Sequence, residues 1–223
     1  MGEHDGHRER LKRRFLEHGM DTLQDHEALE LLLFYAVPRK DTNPIARALL
    51  KHFGSISAVL EASAQELKQV AGIGEHAAML LHLITPMARR YQLSRTDKGI
   101  VFETIKDCGE FLVPYFFGIQ EEQIYLLCLD AKKKFLACRL LQEGSANAAY
   151  LPIRKAAEIA MSCNASSVIL AHNHPGGLAL PSTEDYAATL QLRETFEPLG
   201  IVVVDHIVVS DNEYISLKDS GYY

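Results

Sequence analysis

Apolar and polar positions follow two different rhythms along this chain. Over the first ninety or so residues the apolar positions recur at helical spacing. Arg8 to His18 is a basic amphipathic stretch closed by Gly19. A second helix, capped by Asp25 or Asp21, carries Ala28, Leu29, Leu31, Leu32 and Phe34 and stops before Pro38. Asn43-Pro44 places a cap and an early proline ahead of Ile45 to Phe53. Ser55 and Ser63 each open a short helix, the second with Glu66 at the capping-box position. Val70-Ala71-Gly72-Ile73-Gly74 predicts a tight turn before a helix over Glu75 to Tyr91. Gln92 to Gly99 is polar and aperiodic, which sets a domain boundary near residue 96. Beyond it the rhythm changes. Ile124 to Leu129 and Phe135 to Leu141 read as strands around a polar Asp130 to Lys134 turn. A helix over Ile153 to Cys163, a buried strand over Ser167 to Ala171 and a helix over Ser182 to Leu199 follow. An apolar strand over Ile201 to Val209 and a last strand over Tyr214 to Ser216 complete the pattern. The chain therefore divides into an all-helical domain, 1–95, and an α+β or α/β domain, 96–223, built on one mixed sheet with flanking helices.

Bulk composition changes this picture little. Of the 223 residues, 48% are hydrophobic and 23% charged, enough to build ordinary cores. No apolar run reaches the ~20 residues that cross a bilayer, and the charged N-terminus is not a secretory signal. A cytoplasmic protein is expected. Cys108, Cys128, Cys138 and Cys163 form no Cys-x-x-Cys pair and read as buried, reduced thiols. Charge is uneven: residues 1–95 carry 13 Lys+Arg and 12 Asp+Glu, residues 96–223 carry 10 and 17. Neither half has the basic excess typical of a protein whose main substrate is DNA.

The segment Ala171-His172-Asn173-His174-Pro175-Gly176-Gly177 carries the chemistry. Residues i and i+2 of an extended chain point the same way, so His172 and His174 converge at the end of a buried strand. Proline and two glycines then force an irregular loop, and the first turn after Ser182 returns Asp185 toward the strand end. Two imidazoles and a carboxylate suit a single zinc ion with a fourth position open to water, whose ionisation zinc eases to a pKa around 7. The plain alternative is that Ser182 and Asp185 only cap a helix.

His172-x-His174, seven residues, Ser182, two residues and Asp185 resembles the JAMM/MPN+ metalloprotease signature at every spacing. The His-Asn-His-Pro-Gly context and Asp205-His206-Ile207-Val208 resemble its bacterial RadC-type branch, over about residues 100–223. The resemblance implies that His172, His174 and Asp185 hold zinc, one per chain. Ser182 then polarises the scissile carbonyl, and an upstream glutamate serves as general base. Glu122, in Glu122-Gln123-Ile124-Tyr125-Leu126-Leu127, fits that last role best; Glu121 is its neighbour, and Glu143 and Glu103 lie farther from the pattern. It also implies a peptidase or isopeptidase, with a peptide or protein as substrate. Asn173 stands where many members have Ser or Thr, either as a hydrogen-bonding neighbour of the site or as a turn former. His206 reads as a buried structural histidine or as a group near the substrate groove.

In the helical half, Leu67-x-x-Val70-Ala71-Gly72-Ile73-Gly74-x-x-Ala77 resembles a helix-hairpin-helix motif. Backbone N–H groups at such a turn can hold a DNA phosphate, so weak DNA contact through residues 67–90, with help from the Arg8 to Arg14 run, stands beside a purely structural packing role. A DNA-associated binding protein with a structural or vestigial zinc site is accordingly the alternative to a zinc hydrolase.

Overall fold

The computed structural model describes residues 3–38, 40–95, 99–144 and 151–221. It separates into two compact units, Met1–Ala88 and Arg89–Tyr223. Of the aperiodic linker expected over Gln92 to Gly99, Gln92 to Ser94 instead continue the preceding helix, and 96–98, where the boundary is set, lie outside the described residues.

The first unit is helical: α1 (Glu3–His18), α2 (Asp25–Ala36), α3 (Asn43–Phe53), α4 (Ile56–Glu61), α5 (Ala64–Leu67) and the start of α6 (Glu75–Ser94). Leu29, Leu33, Leu49, Val59, Leu67, Ala78 and Leu81 form its core. Ser55 and Ser63 cap α4 and α5 as expected, each hydroxyl accepting the third-residue N–H. Two other caps differ from the sequence reading. Glu27 reaches back to the N–H of Gln24, so Gln24, not Asp25 or Asp21, precedes α2. Thr42 precedes α3, because the Asn43 amide instead donates to the fully buried Glu30 carboxylate at 2.5 Å. Buried carboxylates need such partners. Val70 to Gly74 forms the expected turn, with Gly72 at φ 94°, a conformation open to glycine.

The second unit contains α7 (Ile105–Phe116), β1 (Gln123–Leu129), β2 (Phe135–Glu143), α8 (Ile153–Ser162), β3 (Ser167–Asn173), α9 (Thr183–Phe196), β4 (Val202–Ser210) and β5 (Glu213–Ser216). The sheet runs β2-β1-β3-β4-β5, antiparallel except for β3 beside β4, which α9 connects. β1 and β3 are buried almost throughout, which explains their unbroken apolar runs. Alternation sends Ile124, Leu126, Val168 and Leu170 into one core, with Ala156, Ala160, Leu192 and Phe196 of α8 and α9. Tyr125, Leu127, Ile169 and Ile207 enter a second core with Cys108, Leu112 and Phe116 of α7. The domain is thus a mixed sheet between helical layers, as expected. Helix α7 is an element the sequence reading leaves unassigned. Cys108 and Cys128 are buried, but Cys138 and Cys163 are only partly so, a correction to the expectation of four buried thiols; none is in a disulfide.

Candidate metal centre

Strand β3 fixes the site. Ile124 of β1 sits opposite His172, and His172 shares the face of β3 that carries Leu170 toward α8 and α9. His174 follows where the strand gives way to the Pro175 loop. Asp185 sits in the first turn of α9, where its carboxylate accepts the N–H and the hydroxyl hydrogen of Ser182, both at 2.7 Å. The Ser182 hydroxyl in turn accepts the Asp185 N–H at 3.1 Å. The capping and site readings of this pair are therefore compatible, since one capping box both starts the helix and aims the carboxylate.

Three donor atoms converge. His172 Nε2 lies 2.9 Å from His174 Nε2, and 3.1 Å from Asp185 Oδ1. His174 Nε2 lies 3.7 Å from Asp185 Oδ2. Ligands at zinc–nitrogen distances of 2.0–2.1 Å in tetrahedral array are separated by about 3.3 Å, so the spacing fits.

The protons are placed by hydrogen-bond bookkeeping. Thr189 donates its hydroxyl hydrogen to the Asp185 carbonyl at 2.7 Å, and therefore accepts from His206 Nδ1, also at 2.7 Å. His206 Nε2 must then accept from His172 Nδ1 at 2.8 Å. His174 Nδ1 donates to the Leu178 carbonyl at 3.2 Å. Both outer nitrogens carry the protons, leaving both Nε2 lone pairs aimed at one point. Two lone pairs 2.9 Å apart beside a carboxylate call for a cation, a proton or a metal ion.

The electrostatics agree. With a proton as that cation, burial raises the Asp185 carboxyl, yet the hydrogen bond and charge of the protonated His172 and the bonds from Ser182 outweigh it and hold the group well below the usual carboxylate range. Burial, then the neighbouring His172, lowers His206 to about 3, so it stays neutral. His172, Asp185 and His206 form a buried group of metal-binding type. Both nitrogens of His206 are already bonded, however, while His174 faces the cavity.

That cavity, about 300 Å³, is shared by His172, His174, Ser182, Asp185, His206 and Glu122. All five residues singled out from the sequence thus line one space. Of the other glutamates weighed as general base, none does. Glu121 is exposed outside it, Glu143 accepts from Gln123 Nε2 at 2.7 Å, and Glu103 lines a different cavity with Lys133 and Val202. Asn173 bridges the strands beneath Glu122. Its side chain accepts from the Gln123 N–H at 2.7 Å and donates to the Glu121 carbonyl at 3.1 Å. It is a buried hydrogen-bonding residue that ties the backbone on both sides of Glu122, and the turn-former reading does not describe it. Thr189 escaped the sequence reading altogether, although its i+4 spacing from Asp185 places it on the same helix face.

Comparison with known families agrees with this geometry. Residues 102–222 match the RadC-like JAB domain, and residues 4–79 match the UPF0758 N-terminal domain. With the first match spanning more than half of its length, this chain belongs to the family of RadC-like JAB domain proteins.

Proposed function

We propose that this protein is a zinc-dependent hydrolase of amide bonds, a peptidase or isopeptidase, with His172, His174 and Asp185 holding one zinc ion per chain. The observation that carries the reading is the convergence of two Nε2 lone pairs and one carboxylate in a cavity that also contains Glu122 and Ser182. Zinc, when bound, supplies Lewis acidity and a nucleophile available near neutral pH.

The chain's own groups supply the rest. Glu122 is the carboxylate positioned to take a proton from the attacking water and pass it to the leaving nitrogen. Asn173 keeps its backbone in register with the histidine strand. Ser182 is placed to donate its hydroxyl hydrogen to the oxygen of the scissile carbonyl as charge develops there. That hydrogen points at Asp185 Oδ2 in this structure. Turning it to substrate leaves Oδ2 still held by the Ser182 backbone N–H.

Elemental mass spectrometry of the purified chain beside His174→Ala and Asp185→Ala tests the reading. About one zinc per wild-type chain, lost in both variants, is expected; a wild type that takes up no supplied zinc would sink it. Glu122→Gln is then expected to retain zinc and lose hydrolysis of any peptide or isopeptide that the wild type cleaves. Undiminished turnover would remove Glu122 from the mechanism.

A further inference from the structure

The cavity does more than expose the donor atoms. Besides the polar set, its walls are Ile124, Leu151, Leu170 and Ala188, all nearly inaccessible to solvent. Strand geometry puts them there. Ile124 is the cross-strand partner of His172, and Leu170 precedes His172 by two residues on the same face of β3. An amide held over His172 and Asp185 therefore has an apolar wall directly beside it.

We infer that this wall is a subsite for one aliphatic or aromatic side chain flanking the scissile bond, so that substrates are internal amides with an apolar neighbour rather than amides flanked by glycines. This rests on the hydrolase reading above. Size supports it: about 300 Å³ lies at the small end of ligand cavities, enough for a side chain and the adjoining amide. Charge supports it as well. The described lining residues include Glu122 and Glu184 and no lysine or arginine. With zinc bound, Asp185 and Glu122 balance its two positive charges and Glu184 leaves the lining net acidic, so an acidic side chain or a free C-terminal carboxylate at this position meets like charge. The loop after His174 also carries exposed apolar side chains. Leu178, whose carbonyl accepts from His174, and Leu180 are 72% and 55% exposed on the loop that follows.

Three probes separate the outcomes: the hydroxamates of N-acetyl-leucine, N-acetylglycine and N-acetyl-aspartate, titrated calorimetrically into the zinc-loaded full-length chain. The leucine compound is expected to bind at least about tenfold tighter than the glycine compound, which a fitted apolar pocket supplies even for one methylene. The aspartate compound is expected to bind weaker than glycine. Ala188→Leu, which fills the recess, is expected to bring the leucine-to-glycine ratio toward one. Should that variant not fold, the wild-type ratio decides alone. Equal affinities for leucine and glycine in the wild type would overturn the subsite and leave the hydrolase reading standing. A chain that takes up no zinc would overturn both.

Discussion

At the scale of single residues, the donor set depends on the neighbours that hold its histidines in place. His172 presents Nε2 to the cavity only because His206 and Thr189 hold its other nitrogen as a donor. Partners that fix a ligand's tautomer are worth about 10–100-fold in metal affinity. His206→Ala and Thr189→Val are expected to weaken zinc by that order in competition with a chromophoric chelator, and unchanged affinity would count against the relay. The same groups make the zinc-free chain acid-sensitive. His206, ordinarily near 6.5, is lowered to about 3 by burial, so below 6.5 the unfolded chain binds protons that the folded one refuses. The stability this contributes is full above pH 6.5 and is lost as pH falls toward 3. Asp185, also lowered, works in the same direction. The urea midpoint of the zinc-free protein should fall across that window, and less steeply in His206→Asn; parallel pH curves would refute the assignment. None of this relay is legible in the local sequence, because His172 and His206 are 34 residues apart and only the pairing of β3 with β4 joins them.

At the scale of elements, the sequence reading succeeded where a signal was local and failed where it was not. Ser182 and Asp185 start α9 by a three-residue reciprocity that spacing alone reveals. Asn43 failed as a cap because a residue 13 positions away, Glu30, claimed its side chain. Helix α7 was missed because Gly109 and Pro114 interrupt its apolar pattern. The glycine has a tertiary reason: a Cβ there would collide with the ring of Tyr214 on β5. Helix propensity alone predicts that Gly109→Ala stabilises by up to about 1 kcal/mol. The collision is expected to win, with a net destabilisation of about 1–3 kcal/mol. In a Tyr214→Ala background the same substitution should become neutral or stabilising. Urea unfolding of the four proteins checks this, and the same penalty in both backgrounds would exclude the ring as its cause.

At the scale of the whole molecule, charge bears on partners. The net charge of −6 works against a DNA substrate. Several cations that could contact phosphate have bonds of their own. Arg8 donates to the carbonyls of Val37 and Lys40 at 2.6 and 2.7 Å, and Arg14 pairs with Glu27. Arg89 donates to the Tyr115 carbonyl and the Tyr125 hydroxyl. Duplex DNA is therefore expected to bind no tighter than the roughly 10⁻⁴–10⁻⁶ M of non-specific contacts, with strong salt dependence. Fluorescence anisotropy against salt would show it, and nanomolar binding at physiological salt would favour a DNA-associated role. Among the described residues no helix is long and apolar enough to cross a membrane.

Sequence alone determined what depends on short-range geometry. Two histidines at spacing two share a direction on a strand, a serine three residues before an aspartate makes a cap, and unbroken apolar runs mark strands covered on both faces. Tertiary structure decided what depends on pairing between distant segments. The register of β1 against β3 brings Glu122 and the apolar wall to His172. The register of β3 against β4 brings His206 behind it. The reason is physical: a strand's periodicity says which side chains share its face, while the neighbour each one meets is set by which strand lies alongside and at what offset.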